Sequence, residues 1–406
     1  MSHPPVCAGS PAFKRINRAM VFGGFSTFAL LYGIQPLMPL LARQFALTPA
    51  QSSGVLSAST AALAVSLLLS GALSERIGRK KLMGSAMLLG GLLTLLSAFA
   101  QTYPQLLVLR AMLGFALGGM PAVAMAYLSE EIEGPSLGLS MGLYIGGSAF
   151  GGMLGRVIIS VLSDFFSWRV ALAAMGAAGL YAAWEFWRSL PVSRNFRQGK
   201  PGFGAVLDGA RSHFSDPGLP WLFGLGFLLM GCYVSLWNYI AYRLMGAPYD
   251  LRQSVVGALS VLYLIGIFSS VWAGRLADKV GRRNVLWLVM SVMLAGLLLT
   301  LAKTLLVIVL GVALFTFGFF ASHSVCSSWV GRRARGQQAL ASGIYLFFYY
   351  VGSSIIGSLS GVMWSSGGWT SVVVVLAITL GLALLVALRL RSLAPLEDAI
   401  APAASP

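Results

Sequence analysis

Apolar residues fall in twelve long, almost unbroken runs, near 20–41, 53–73, 82–100, 106–128, 137–162, 170–187, 221–241, 255–273, 285–301, 305–330, 340–364 and 372–388. A helix needs about 20 such residues to cross a bilayer, and each run meets or approaches that length. Several runs are dense in Val and Ile, yet only a helix satisfies all its backbone groups within one segment in lipid. A β-barrel would show alternating segments of about 10 residues instead. The predicted fold class is all-α integral membrane, with twelve transmembrane helices in two pseudo-symmetric six-helix bundles. The first run follows a polar tail holding Lys14, Arg15 and Arg18, and reads as a retained helix rather than a cleaved signal.

The longest polar stretch, Arg188 to Pro220, carries Pro191, Pro201, Pro217 and Pro220 and separates six runs from six. The expected organisation is a cytoplasmic tail at 1–19, a bundle at 20–187, a cytoplasmic linker at 188–220, a second bundle at 221–388 and a cytoplasmic tail at 389–406. Within the linker, Phe203, Val206, Leu207, Ala210 and Phe214 recur at helical spacing, while Asp208, Arg211 and Ser212 fall elsewhere. That pattern predicts a short helix lying on the membrane surface.

Composition agrees with lipid as the surrounding solvent. Of the 406 residues 57% are hydrophobic and 10% charged, with mean hydropathy +0.81; soluble domains run to roughly a quarter charged. The formal charge of +16 does not point to nucleic acid, because the basic residues sit in short clusters between apolar runs. With the N-terminus inside, 21 Lys and Arg fall in cytoplasmic segments against five outside: Arg43, Arg169, Arg243, Arg252 and Lys303. This asymmetry predicts that both termini are cytoplasmic. The exception is the loop after helix four, where Glu130, Glu131 and Glu133 stand without a cation. Cys7, Cys232 and Cys326 form no CxxC pair, so no disulfide, metal or cofactor site is expected.

The two halves repeat. GALSERIGRK at 71–80 aligns with GRLADKVGRR at 274–283, and Gln35 meets Asn238 at the same offset of 203. Gly142 and Tyr144 align with Gly343 and Tyr345, and Trp168 with Trp369, at an offset of 201. One six-helix unit used twice is how many transporters build alternating access about a midplane site.

The paired segments resemble the loop signature of the major facilitator superfamily, in which a glycine is followed by an acid, a base, a second glycine and paired bases. The resemblance implies an inner gate in the loops after helices two and eight. It would be carried by Gly71, Glu75, Arg76, Gly78 and Arg79 in the first copy and by Gly274, Asp278, Gly281, Arg282 and Arg283 in the second. Charges at such helix ends can close a mouth with bonds weak enough to break when the halves rock. The plainer reading makes some of them positive-inside anchors, Lys80 and Lys81 among them. Helix four carries Arg110, Gly114 and Gly118, similar to the family's fourth-helix motif. Helix five carries Gly147, Gly151 and Gly155, similar to a glycine-rich motif of its exporters, without that motif's usual proline. These glycines also suit close helix packing in any membrane bundle. The segment GFFASHSVCSSWVG at 318–331 resembles the tenth helix of the acriflavine-sensitivity (YnfM-like) branch of bacterial efflux proteins, a resemblance that spans most of the chain.

Arg110 and Arg156 are charged within membrane runs, each at about 3 kcal/mol or more on insertion scales, and should face a cavity or a partner. Asp164, two turns beyond Arg156, is one such partner. His323 has an ordinary pKa near neutrality and is a candidate proton carrier, or a satisfied hydrogen-bonding group. Tyr32, Gln35, Trp237, Asn238 and Tyr239 are candidate solute ligands, the amides weighing most because buried amides need partners. Drug exporters of the family it resembles that accept lipophilic cations usually hold an acid in helix one, and none stands here; two buried arginines without a matching midplane carboxylate point to anionic, zwitterionic or neutral solutes.

The function expected is proton-linked export of small organic compounds or drugs across a bacterial inner membrane, by a monomer whose partners are a small organic solute, the coupling proton and lipid. Solute would bind between helices one, four, seven and ten, and Arg110→Ala would lose activity while folding normally. The rivals are a proton-coupled uptake symporter for an organic anion, and an intramembrane enzyme or non-transporting receptor. No GxxxxGK[ST] loop or HExxH is present, and the GxSxG at 138–142 opens a membrane helix rather than following a strand.

Overall fold

The computed structural model describes residues 5–193, 195, 203–334 and 337–392. Arg194, Arg197, Lys200 and Arg335, counted above among the basic residues, lie outside the described residues, as does the tail beyond Ser392.

Helices dominate the described residues. Ten stretches are long and apolar enough to cross a membrane. Two adjustments to that count give twelve spans. The stretch Gln338–Arg391 is two helices, eleven and twelve, broken where Gly367 and Gly368 leave helical backbone. Helix three, Arg79–Ser97, opens on Arg79, Lys80 and Lys81 and is otherwise apolar. The remaining spans are helix one Pro11–Phe45, helix two Pro49–Ile77, helix four Tyr103–Glu131, helix five Gly134–Phe165, helix six Trp168–Ser189, helix seven Leu219–Met245, helix eight Gln253–Val280, helix nine Arg282–Leu299 and helix ten Leu305–Arg333. A further helix, Phe203–Ser215, lies between the two sets of six.

Several helices begin before their apolar runs because local chemistry starts them. Ser10 caps helix one by accepting from the Phe13 amide with Pro11 at the first position, nine residues ahead of Met20. Thr48 with Gln51, and Thr102 with Gln105, form reciprocal capping boxes on helices two and four. Gly78 and Gly281 make the corner after helices two and eight at φ +91° and +90°. At both copies of the repeat the chain thus turns through a conformation that side chains disfavour.

Three spans are interrupted. Helix one runs Pro11–Tyr32, passes through the 3-10 turn Gln35–Leu37 and resumes at Met38. Helix four breaks between Leu117 and Pro121. Helix eight holds a 3-10 turn at Leu259–Leu262.

The halves pack alike. Helix five lies so close on helix one that a methyl group at Gly151 would overlap the Phe25 carbonyl, and Gly352 of helix eleven meets the Phe227 carbonyl of helix seven in the same way. Helix two packs on four and eight on ten. Across the two lobes, helix two meets helix eleven and helix five meets helix eight. Large apolar side chains such as Leu306 (76% exposed), Phe268 (63%) and Leu385 (65%) point outward, whereas Ser53, Ser59, Thr60 and Ser353 are buried. A surface this apolar belongs in lipid.

A polar seat where the lobes meet

The break in helix one makes the first half of the site. Its first segment ends at Tyr32, leaving its last carbonyls without next-turn donors. Arg110, fully buried on helix four, supplies the donors: Nη1 to the Leu30 carbonyl (3.1 Å), Nη2 to the Leu31 carbonyl (2.7 Å) and Nε to the Val55 carbonyl of helix two (3.4 Å). Arg110 is thus spent inside the first lobe. That geometry does not suit the expectation that Arg110→Ala folds normally, because the buried Leu30 and Leu31 carbonyls would lose their donor, while the Val55 carbonyl keeps the Ser59 hydroxyl.

The freed turn carries Gln35 to the lobe boundary. Its Nε2 donates to Asn238 Oδ1 of helix seven at 2.6 Å and to the Val234 carbonyl at 3.3 Å. The two amides that share a repeat offset therefore hydrogen-bond to each other. Gln35 Oε1 in turn accepts from Arg156 Nε at 2.7 Å, and Arg156 Nη1 donates to the Gly152 carbonyl at 2.5 Å. Asp164 does not pair with Arg156. It reaches across to helix eight, where Ser254 Oγ donates to it at 2.5 Å and Arg252 Nε stands at 3.2 Å.

Aromatic rings enclose the guanidinium: Tyr32 and Tyr263 each at 4.8 Å from Cζ to ring centre, and Trp237 at 6.0 Å. Tyr233 stacks on Phe319 at 3.7 Å, and Phe319 leads to His323, whose Nδ1 lies 2.9 Å from the Tyr345 hydroxyl and whose ring is 4.7 Å from Tyr349. Tyr239 stands apart from this cluster, donating to the Gly357 carbonyl at 2.8 Å and stacking on Trp364. The sequence reading missed Tyr233, Tyr263, Phe319 and Tyr349. Aromatic residues are common in membrane helices, and nothing local marks which of them line a centre.

Hydrogen bonds that join the lobes cluster in the half of the molecule away from the repeated loops. Tyr242 pairs with Ser52 (2.5 Å) and donates to the Met38 carbonyl (3.0 Å), Ser354 pairs with Thr60 (2.7 Å), Ser358 donates to Ser57 (3.0 Å), and Gln253 donates to the Pro36 carbonyl (2.7 Å). With the Asp164 contacts they form a seal above the seat. Beneath that seal a cavity of about 10 Å³ remains beside Gln35, Arg156 and Trp237, room for about one water.

The repeated loops bond mainly within their own lobes. Arg79 pairs with Glu130 at the end of helix four (2.7 Å) and with Ser74, while Arg282 pairs with Asp278 (2.7 Å) and Ser328 (3.0 Å), and Arg332 approaches Asp278 at 3.4 Å. Glu75 is half-buried at the end of helix two, Arg76 is exposed, and Arg283 is half-buried at the start of helix nine. Gly71 faces open space and Gly274 meets only Ser324 Oγ at 3.8 Å. The acidic loop that broke the charge pattern is a set of partners. Glu130 takes Arg79, and Glu131 accepts from Ser193 and the Asn195 amide. Glu133 accepts from Ala8, and the Ala8 amide, Cys7 and Ser136 hold its carboxyl below the usual carboxylate range. The glycine motifs face neighbours rather than the seat: Gly114 and Gly118 lie on Ser59 and Ser66 of helix two, and Gly147, Gly151 and Gly155 on Val21, Phe25 and Ala29 of helix one.

A duplicated bundle whose lobes meet over a polar, charged centre defines a two-lobed membrane carrier. The sequence profile of the Major Facilitator Superfamily matches residues 20–247 and 222–405. The inner membrane transport protein YnfM of Escherichia coli strain K12 is 50% identical over 383 residues, 94% of this chain and 92% of that protein. The uncharacterized MFS-type transporter YybF of Bacillus subtilis strain 168 is 46% identical over 365 residues, 90% of each. A solved bacterial homologue of the human lysosomal transporter Spinster, inward-facing and unoccupied, matches with a TM-score of 0.79 at 16% identity over 95% of this chain and 98% of that one. The chain belongs to the Major Facilitator Superfamily of transporters.

Proposed function

We propose that this protein is a secondary exporter of small organic compounds, proton-linked and resident in a bacterial inner membrane. The observation that carries the reading is the Gln35–Asn238 hydrogen bond at 2.6 Å beside Arg156. It puts a polar seat on the boundary that must open if the bundles at 20–187 and 221–388 rock about it. The positive-inside pattern sets the repeated loops, both tails and the linker in the cytoplasm. On that orientation the sealed half is the outer one, the side that must part to release solute. His323, bonded to the Tyr345 hydroxyl beside the aromatic cluster, is the proposed proton carrier. The resemblance of helices five and ten to exporters, together with the relative named an inner membrane transport protein, supports direction and location. The reading includes no chemical step, and each chain has its own seat, so a monomer suffices.

One observation favours a second reading, uptake of an organic anion with a proton: Arg156 has no acidic partner among the described residues. Purified protein in liposomes separates the two. An imposed pH gradient is expected to drive solute release from the cytoplasmic face outward; gradient-driven accumulation in the other direction favours uptake, and flux indifferent to the gradient sinks proton linkage.

A further inference from the structure

Resting on the transport reading above, we propose that the seat is built for an organic carboxylate with a flat apolar body, its carboxylate on Arg156 and its body among the surrounding rings. Charge is the first argument. Arg156 is 2% exposed, and a buried cation in a membrane span is costly unless compensated. Asp164, the acid nearest to it along helix five, is taken by Ser254 and Arg252. A bound carboxylate supplies the missing charge, and its two oxygens match the guanidinium fork.

Hydrogen-bonding capacity is the second argument. Arg156 uses Nε on Gln35 and Nη1 on Gly152, while Nη2 donates to no described residue. Trp237 Nε1 and the Tyr32 hydroxyl are buried without a partner among the described residues. Both rings border the guanidinium, so the side chains that wall the charge carry spare donors of their own. An acceptor-rich anion uses all of them, whereas a neutral amide or an ammonium does not. The walls are the third argument. Tyr32, Tyr263 and Trp237 present ring faces within 6.0 Å of the charge, which suits a planar apolar body stacked beside its own carboxylate. The void beside Arg156 and Trp237 holds only about 10 Å³, less than a ring needs, so the side chains around it must move to admit the body.

The test is calorimetric titration of the purified full-length protein at pH 7 with sodium benzoate and, as its neutral match, benzamide. Benzoate is expected to bind roughly tenfold or more tightly than benzamide. Arg156→Gln should bring the two ligands to the same affinity, Arg156→Lys should keep part of the preference, and Trp237→Phe should weaken benzoate alone. Because the comparison of the two ligands is made first on the unaltered protein, a variant that fails to fold leaves the test standing. Equal binding of benzoate and benzamide, no binding of benzoate, or benzoate affinity unchanged in Arg156→Gln overturns the proposal. The transport reading fails separately: benzoate would bind as described, yet no solute would cross liposomes under a pH gradient.

Discussion

At the scale of single residues, the two membrane arginines divide. Arg110 donates to three carbonyls inside one lobe, whereas Arg156 sits at the boundary with part of its fork unspent. Arg110→Leu is therefore expected to cost on the order of 3 kcal/mol in stability, read as a clear fall in unfolding temperature in detergent, while Arg156→Gln changes that temperature little; equal falls would contradict the division. In sequence the two look alike, because burial cost is the same for any charge in a membrane run. What separates them is the break in helix one, and Gly33 to Pro36 gives only a faint signal of where a helix will open its carbonyls to a neighbour. Gln35 and Asn238 were legible for the opposite reason: their shared repeat offset puts both near one pseudo-symmetry axis. The tyrosines of the cage carry no such mark, since a ring that packs and a ring that lines a seat read identically.

At the scale of elements, the twelve spans were legible because lipid demands length and apolarity, and only their capped ends and their interruptions were not. The amphipathic spacing in the linker likewise anticipated the helix Phe203–Ser215. Its docking partner was hidden, being distant in sequence: Asp216 pairs with Arg333 at the end of helix ten and accepts from the Gly218 and Leu219 amides. Burial alone would raise the Asp216 carboxyl, but the Arg333 guanidinium and the two amides outweigh it, and the net shift is below the ordinary 3.8. A depressed carboxyl stabilises the docked form above its unfolded value and loses that contribution as pH falls through the folded one. The protection of 203–215 against hydrogen exchange, taken relative to the intrinsic rate at each pH, is accordingly expected to be unchanged from pH 7 to 5 and to fall below pH 3.8. Loss of protection already at pH 6 would implicate another group. The acidic loop teaches a related lesson: Glu130 seemed an exception to the charge rule until Arg79 was found beside it.

At the scale of the molecule, the duplication that the repeated loops announced appears as two similar bundles, joined among the described residues by Ser, Thr, Tyr and Gln hydrogen bonds and the Asp164–Arg252 ion pair. Hydrogen bonds between Ser, Thr and Tyr across a boundary are individually modest, which suits the opening and closing that the proposed transport cycle requires. Asp164, held by Arg252 and Ser254, is the charged member of that seal. The direct test is the distance between spin labels at Gln44 and Lys303, on the two lobes at the sealed end, measured by double electron–electron resonance in the parent protein and in Asp164→Asn. Rocking lobes predict a short-distance population in the parent and a shift of population to a longer distance in the variant. A single distance, identical in both proteins, would contradict alternating access about this seat.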